Sequence, residues 1–235
     1  MARPGAGWMC GSALHLDGGL AVSFQRYPRP ADGIVPALPR SFGALPVAFR
    51  RYGDAAQGAG GLPARIVATR RRVRPPRKDS GGSAGARQCL VPVADAEAVW
   101  LGLSLDAAAA PVMLACAVVS ACGAPVDAVT GAPWAARRAG RTMVPPSRWL
   151  DGVRRPDGRT TAFMRDGPGR APAGCAGLHL YGASEPGEPE DLASGGLRLL
   201  ASVWLVAPAE FARRSGCPAP ALMRADDAYP GWRLP

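Results

Sequence analysis

The sequence predicts a mainly β chain: an antiparallel sandwich or barrel with one short C-terminal helix, preceded by an irregular basic N-terminal region. Three observations predict it. Glycine (30) and proline (25) together exceed a fifth of the 235 residues, a share that long helices do not tolerate. Short apolar runs with period-two alternation recur between turn dipeptides along residues 89–235. One stretch near the end, "PAEFARRS", places proline at a helix start and is followed by Gly216, a helix stop. Hydrophobic residues make up 48%, enough to fill a core.

Residues 1–64 read as an irregular Pro/Gly-rich region, with one or two short strands near residues 44–52. Residues 65–88, "RIVATRRRVRPPRKDSGGSAGARQ", read as a basic segment grading into a Gly/Ser linker. Residues 89–235 read as one β-sandwich-like domain. It opens with "CLVPVA" and "AVWLGLSL", where Val99, Leu101, Leu103 and Leu105 alternate with Trp100, Gly102 and Ser104. Residues 112–120 are apolar and rich in valine, which suits a strand covered on both faces. The surrounding apolar run has only 16 residues and contains Pro111. A membrane helix needs about 20 apolar residues, so no span is expected. "VRRPDGRTTAFM" reads as a hairpin with Asp157-Gly158 as its two-residue turn, and Asp151-Gly152 and Asp166-Gly167 read as further turns. "AGLHLYG" and "GLRLLASVWLVA" supply the last strands. There is no internal repeat.

The net charge of +10 lies wholly in residues 1–94, which carry 14 basic and 4 acidic residues; the rest is balanced. Arginine outnumbers lysine 27 to 1, a bias that a GC-rich coding sequence also produces, so basicity is weak evidence for a partner. Arg70, Arg71, Arg72, Arg74, Arg77 and Lys78 offer phosphate contacts, but no aromatic residue interleaves them. A solvated linker is favoured over a nucleic-acid or anionic-surface role. The six cysteines form no CxxC pair and match no zinc spacing, so a reduced, cytoplasmic setting is the simpler reading, with a secreted disulfide protein as its alternative.

Candidate chemistries are few. Gly81-Gly82-Ser83-Ala84-Gly85 has the letters of a nucleophile elbow but sits in a linker without the strand and helix that elbow needs. Of two histidines, His15 is unplaced and His179 sits on the polar face of a strand, four residues from Cys175, too few ligands for a metal. No cofactor or metal is expected. Asp127, Asp151, Asp157 and Asp166 lie in loops and could serve a glycan hydrolase, although Asp-Gly is also ordinary turn chemistry.

"AVTGAPW" (residues 128–134) followed by "VPPSRWLDG" (residues 144–152) resembles a β-rich domain family of bacterial and fungal proteins. That family is marked by A-V-[ST]-G-x-P-W and then V-P-x-x-x-W-L-D-G. The resemblance covers roughly residues 90–235 and includes "EAVWLGL", "TTAFMRDGPG", "LRLLASVWLV" and an approximate closing loop in "ADDAYPGW". It implies a β domain and no catalytic residues.

Together these features give a non-enzymatic module that binds an unknown protein or carbohydrate through loops rich in Trp, Asp and Gly. Its candidate site residues are Asp127, Thr130, Trp134, Trp149, Asp151 and Asp157, with Trp134 and Trp149 read as inward-folding anchors. The other readings are a carboxylate-dependent glycan hydrolase and binding of nucleic acid or anionic surfaces through residues 65–88.

Overall fold

The structure, a computed structural model, describes residues 8–35, 40–51, 86–120, 124–165, 175–183 and 196–223. The N-terminal strands are β1 (Met9–Gly11), β2 (Leu14–His15), β3 (Leu20–Pro28) and β4 (Val47–Arg51). Next come β5 (Arg87–Pro92), β6 (Glu97–Leu105), β7 (Val112–Val119), β8 (Val126–Asp127), β9 (Thr142–Val144) and β10 (Trp149–Leu150). The chain closes with β11 (Gly152–Arg154), β12 (Thr160–Ala162), β13 (Gly177–Ala183), β14 (Leu197–Val206) and helix α1 (Pro208–Ser215).

Sheet A runs β1-β4-β5-β14-β13-β7-β8, with β9 also on β7, and sheet B runs β10-β6-β3-β2. Strands β11 and β12 form a separate hairpin. All pairings are antiparallel except β5 with β14. The sheets pack face to face as a sandwich and do not close into a barrel. Alternation explains the shared core. Leu20, Val22, Phe24, Val99, Leu101 and Leu103 point inward from sheet B, and Leu114, Cys116, Val118, Leu178, Leu180 and Val203 meet them from sheet A. Each such fully buried side chain contributes about 1.5–3 kcal/mol. A bulge at Leu200 breaks the register between β13 and β14, so Leu200 and Ala201 both reach this core.

Two expectations are corrected here. Residues 1–64 do not form a separate irregular region over their described part. They supply four strands, and β3 is an interior strand of sheet B, paired with β6 over nine residues. The reason is its strict alternation, buried Leu20, Val22 and Phe24 against half-buried Ala21, Ser23 and Gln25. Cysteine is the second correction: Cys10 and Cys217 are disulfide-bonded, tying β1 to the segment after α1. Cys89, Cys116 and Cys175 are core residues, and burial pushes the Cys89 thiol up to about 12.

Helix α1 follows the sequence signals. Pro208 opens it, and Gly216 ends it in the left-handed region at φ 70°. It lays Phe211 on the outer face of sheet A among Ala48, Leu90, Trp204 and Cys217. The β11–β12 hairpin differs from a two-residue turn. The Arg155 N–H bonds the Arg159 carbonyl (2.8 Å) and the Gly158 N–H bonds the Arg155 carbonyl (3.0 Å), giving a three-residue loop with Gly158 at φ 82°. Pro156 sets the type I turn that this arrangement needs. Among the described residues no helix is long and apolar enough to cross a membrane. Residues 65–85, Asp166 and "ADDAYPGW" lie outside the described residues, apart from their flanks.

Candidate functional site

The stretch "PVDAVTGAPW" is a tightly organised turn. Val126 bridges Pro133, the Asp127 N–H bonds the Ala132 carbonyl (2.8 Å), and the Trp134 N–H bonds the Pro125 carbonyl (2.8 Å). The Asp127 carboxylate is buried and fully engaged. Its Oδ1 accepts the N–H of Val129 (2.7 Å) and Thr130 (3.0 Å), and its Oδ2 accepts the Gly140 N–H. A carboxylate that accepts three backbone donors organises the loop around it. Thr130 is exposed, and its Oγ1 accepts the Ala132 N–H at 3.3 Å.

The two loops singled out from sequence do meet: the Arg154 N–H bonds the Ala128 carbonyl at 2.8 Å, and Gly131 packs on the Arg154 backbone. Their tryptophans nevertheless part. Trp134 is half-buried on the outer face of sheet A, stacked on Tyr181 at 4.8 Å. Trp149 lies on the outer face of sheet B and is 47% exposed, while its neighbour Leu150 packs against the core. Neither indole is an inward anchor, because β10 pairs Leu150 with inward-facing Leu101 and so turns Trp149 outward. Asp151 is half-buried between β10 and β11. Asp157 is an exposed hairpin-tip residue, accepting the Arg159 N–H (3.0 Å) and pairing with Arg155 (3.5 Å).

On the outer face of sheet A, the strand registers place Arg50, Gln88, Ser202, His179, Ala117 and Asp127 in one row across six strands. His179 packs edge-on against Trp204 (5.8 Å) and Tyr181 (6.5 Å), and its buried Nε2 finds no hydrogen-bond partner. Burial lowers its pKa to about 4. Asp127 is two strands from His179 and already engaged, so this row is a structural belt. Among the described residues no three His, Cys, Asp or Glu side chains gather as a metal site.

A pH dependence follows. Unfolded, His179 titrates near 6.5; folded, near 4. Stability from this group is complete above pH 6.5 and is lost as the pH falls toward 4, when the unfolded chain takes up the proton first. The loss amounts to about 3 kcal/mol. Urea unfolding at pH 7.5 and pH 4 should therefore show a drop larger by about that amount in the wild type than in His179→Gln.

The outer face of sheet B is different in kind. Trp149 pairs with Gly102, and Gly102 pairs with Ser23, so these three share one row. Gln25 and Trp100 form the next row, and Ser104, Ala21 and His15 the row on the other side. Gly102, Ala21 and Ser23 lie between Trp149 and His15, and half-buried Trp100 packs against the cluster of Tyr27, Val35, Ala98, Ala162 and Met164 that covers the neighbouring part of this face. A Cβ at Gly102 would lie 2.6 Å from Ser23 Oγ and 3.4 Å from the Trp100 ring, so glycine is what lets Ser23 Oγ and the Trp100 ring close over this point of β6. The Gln25 amide is oriented by its neighbours: Nε2 donates to Ser23 Oγ (2.9 Å), and Oε1 accepts from Ser41 Oγ (2.6 Å). The trough adjoins a cavity of about 390 Å³ lined by Ser104, Asp106, Pro111, Pro145, Ser147 and Arg148, where β6 runs on past the end of β10.

Of the residues on this face, the sequence candidates include Trp149 but not Ser23, Gln25 or Gly102. The signal was present for Gly102, since its alternation with inward Leu101 and Leu103 puts Trp100, Gly102 and Ser104 on one outward face. The buried Glu97 was missed too: it accepts from Arg26 (3.4 Å) and from the N–H groups of Ala94 (3.2 Å) and Met223 (3.4 Å), tying the C-terminal segment to sheet B.

Fold and site together define a β-sandwich with an aromatic, hydroxyl-rich trough on one outer face. No family model, curated protein or solved structure matches the chain, so the functional reading rests on this geometry.

Proposed function

We propose that the chain is a non-enzymatic binding module whose ligand seats on the outer face of sheet B, around Trp149. One observation carries this reading: the Trp149 indole is 47% exposed beside the outward-facing Ser23 and Gln25. Large aromatic side chains exposed on rigid elements are costly to leave in water and strong anchors when covered. The trough sits on strands rather than loops, which favours a preorganised site. Among the sequence candidates, Trp149 is the residue that supports this reading; Asp127 and Thr130 maintain the neighbouring turn. The Cys10–Cys217 disulfide favours an oxidising compartment over the cytoplasm for this module.

The test is a thermal-shift screen of the full chain against peptides and small saccharides, with Trp149→Ala as the counter-screen. A ligand present at 100 times its Kd should stabilise the wild type by about 2.7 kcal/mol, raising Tm by roughly 5–10 °C. The same ligand should leave Trp149→Ala unmoved. Ligands that shift both proteins equally would place the site elsewhere.

A further inference from the structure

We propose that the trough formed by Trp149, Gly102, Ser23 and Gln25 is a carbohydrate subsite that takes uncharged pyranose units. This rests on the reading of that face as a binding site and names its ligand class. Four features of the trough select a neutral sugar.

First, Trp149 offers a solvent-facing indole on a rigid strand, and the C–H face of a pyranose is the flat, weakly apolar surface that stacks on such a ring. Second, the polar groups around the trough are uncharged and include both donors and acceptors. Ser23 and Ser41 donate their protons to the Gly102 carbonyl (3.4 Å) and Gln25 Oε1 (2.6 Å), which leaves their lone pairs to accept from sugar hydroxyls, while the exposed Ser104 and the Gln25 amide can donate as well as accept. The two bonds that fix Gln25 leave its second Nε2 proton and an Oε1 lone pair for a ligand. Third, the charged residues that line the adjoining cavity, Asp106 and Arg148, are opposite in sign, so among the described residues that lining has no net charge to favour an anion. Fourth, the trough is two strand spacings wide from Trp149 to Ser23, roughly 10 Å, which admits a sugar ring and its hydroxyls.

A peptide fits the same surface less well. Strand addition pairs with a sheet edge, and the edge strand here, β10, is two residues long, too short to hold a peptide strand. A docked helix needs a continuous apolar groove, and here hydroxyls and an amide interrupt it.

Affinity electrophoresis of the full chain in gels holding soluble neutral glucan, mannan, galactan or xylan tests the proposal, with polygalacturonate as the anionic comparison. At least one neutral polysaccharide should retard the wild type. Trp149→Ala should weaken that retardation at least tenfold, Gly102→Ala should weaken it by displacing Ser23 Oγ, and Trp149→Phe should restore part of it. Any retardation by polygalacturonate should be the same in wild type and Trp149→Ala, since it would reflect the net charge of +10. A wild type that passes every neutral polysaccharide unretarded overturns the proposal, as does equal retardation of Trp149→Ala. If neutral polysaccharides fail while a peptide still stabilises the wild type and not Trp149→Ala, the sugar assignment falls and the binding-module reading stands. If Trp149→Ala matches the wild type with every probe, both fall.

Discussion

Replacing Cys217 with serine should lower the unfolding free energy by about 5 kcal/mol and Tm by about 15 °C. The Cys10–Cys217 disulfide joins residues 207 positions apart, so it closes nearly the whole chain into a loop. Cross-linking ends that far apart removes a large share of the unfolded chain's freedom, and the loop-closure relation gives on the order of 5 kcal/mol for such a loop. The bond also holds an edge. Strand β1 is three residues long and pairs only with β4, while Cys217 is packed with Phe211 and Trp204. Guanidinium unfolding with and without reductant checks the prediction. Reductant should destabilise the wild type by the same amount and leave Cys217→Ser and Cys10→Ser unaffected. Equal stability of wild type and both variants would contradict it.

The second large effect is local. Gly131→Ala should cost at least ~3 kcal/mol and detach β11 from the turn at residues 127–131. Gly131 has φ 71°, and a Cβ there would lie 2.0 Å from the Arg154 carbonyl oxygen. Backbone occupies the space, so no rotamer change relieves the clash. Gly158→Ala is the internal control. Its φ is 82° and nothing lies within 4 Å of an added Cβ, so it should show only the conformational cost of about 1–2 kcal/mol. Chemical denaturation of the pair separates backbone preference from close approach. Equal losses in the two variants would mean that Gly131 is a turn residue and not a packing one.

These residues also show what the sequence could reveal. Helix α1 was legible to its ends because Pro208 and Gly216 act locally. Strands β6, β13 and β14 were legible because apolar alternation reports directly on burial. Strand β3 carries the same alternation, "LAVSFQRYP", but its neighbours are rich in glycine and proline, and composition outweighed pattern. The disulfide was not legible, because pairing over 207 positions depends on which strand β1 joins. The tryptophans were visible as unusual, but their direction was not. Whether Trp149 or Leu150 faces inward depends on the register of β10 against β6, and a one-residue slip exchanges them. Gly102 and Ser23 come together only once β3 and β6 are neighbours, since the two residues are 79 positions apart.

Ligand that meets the face of sheet B at Trp149 should be seen at the indole N–H signals in an NMR titration. The full chain would be titrated with neutral oligosaccharides of glucose, mannose, galactose and xylose, with each signal assigned by Trp→Phe replacement. At least one series should move the Trp149 signal, with a smaller shift at Trp100, and leave Trp134 and Trp204 in place on the outer face of sheet A. Shifts confined to Trp134 or Trp204, or a Trp149 signal that no series moves, would contradict binding at Trp149.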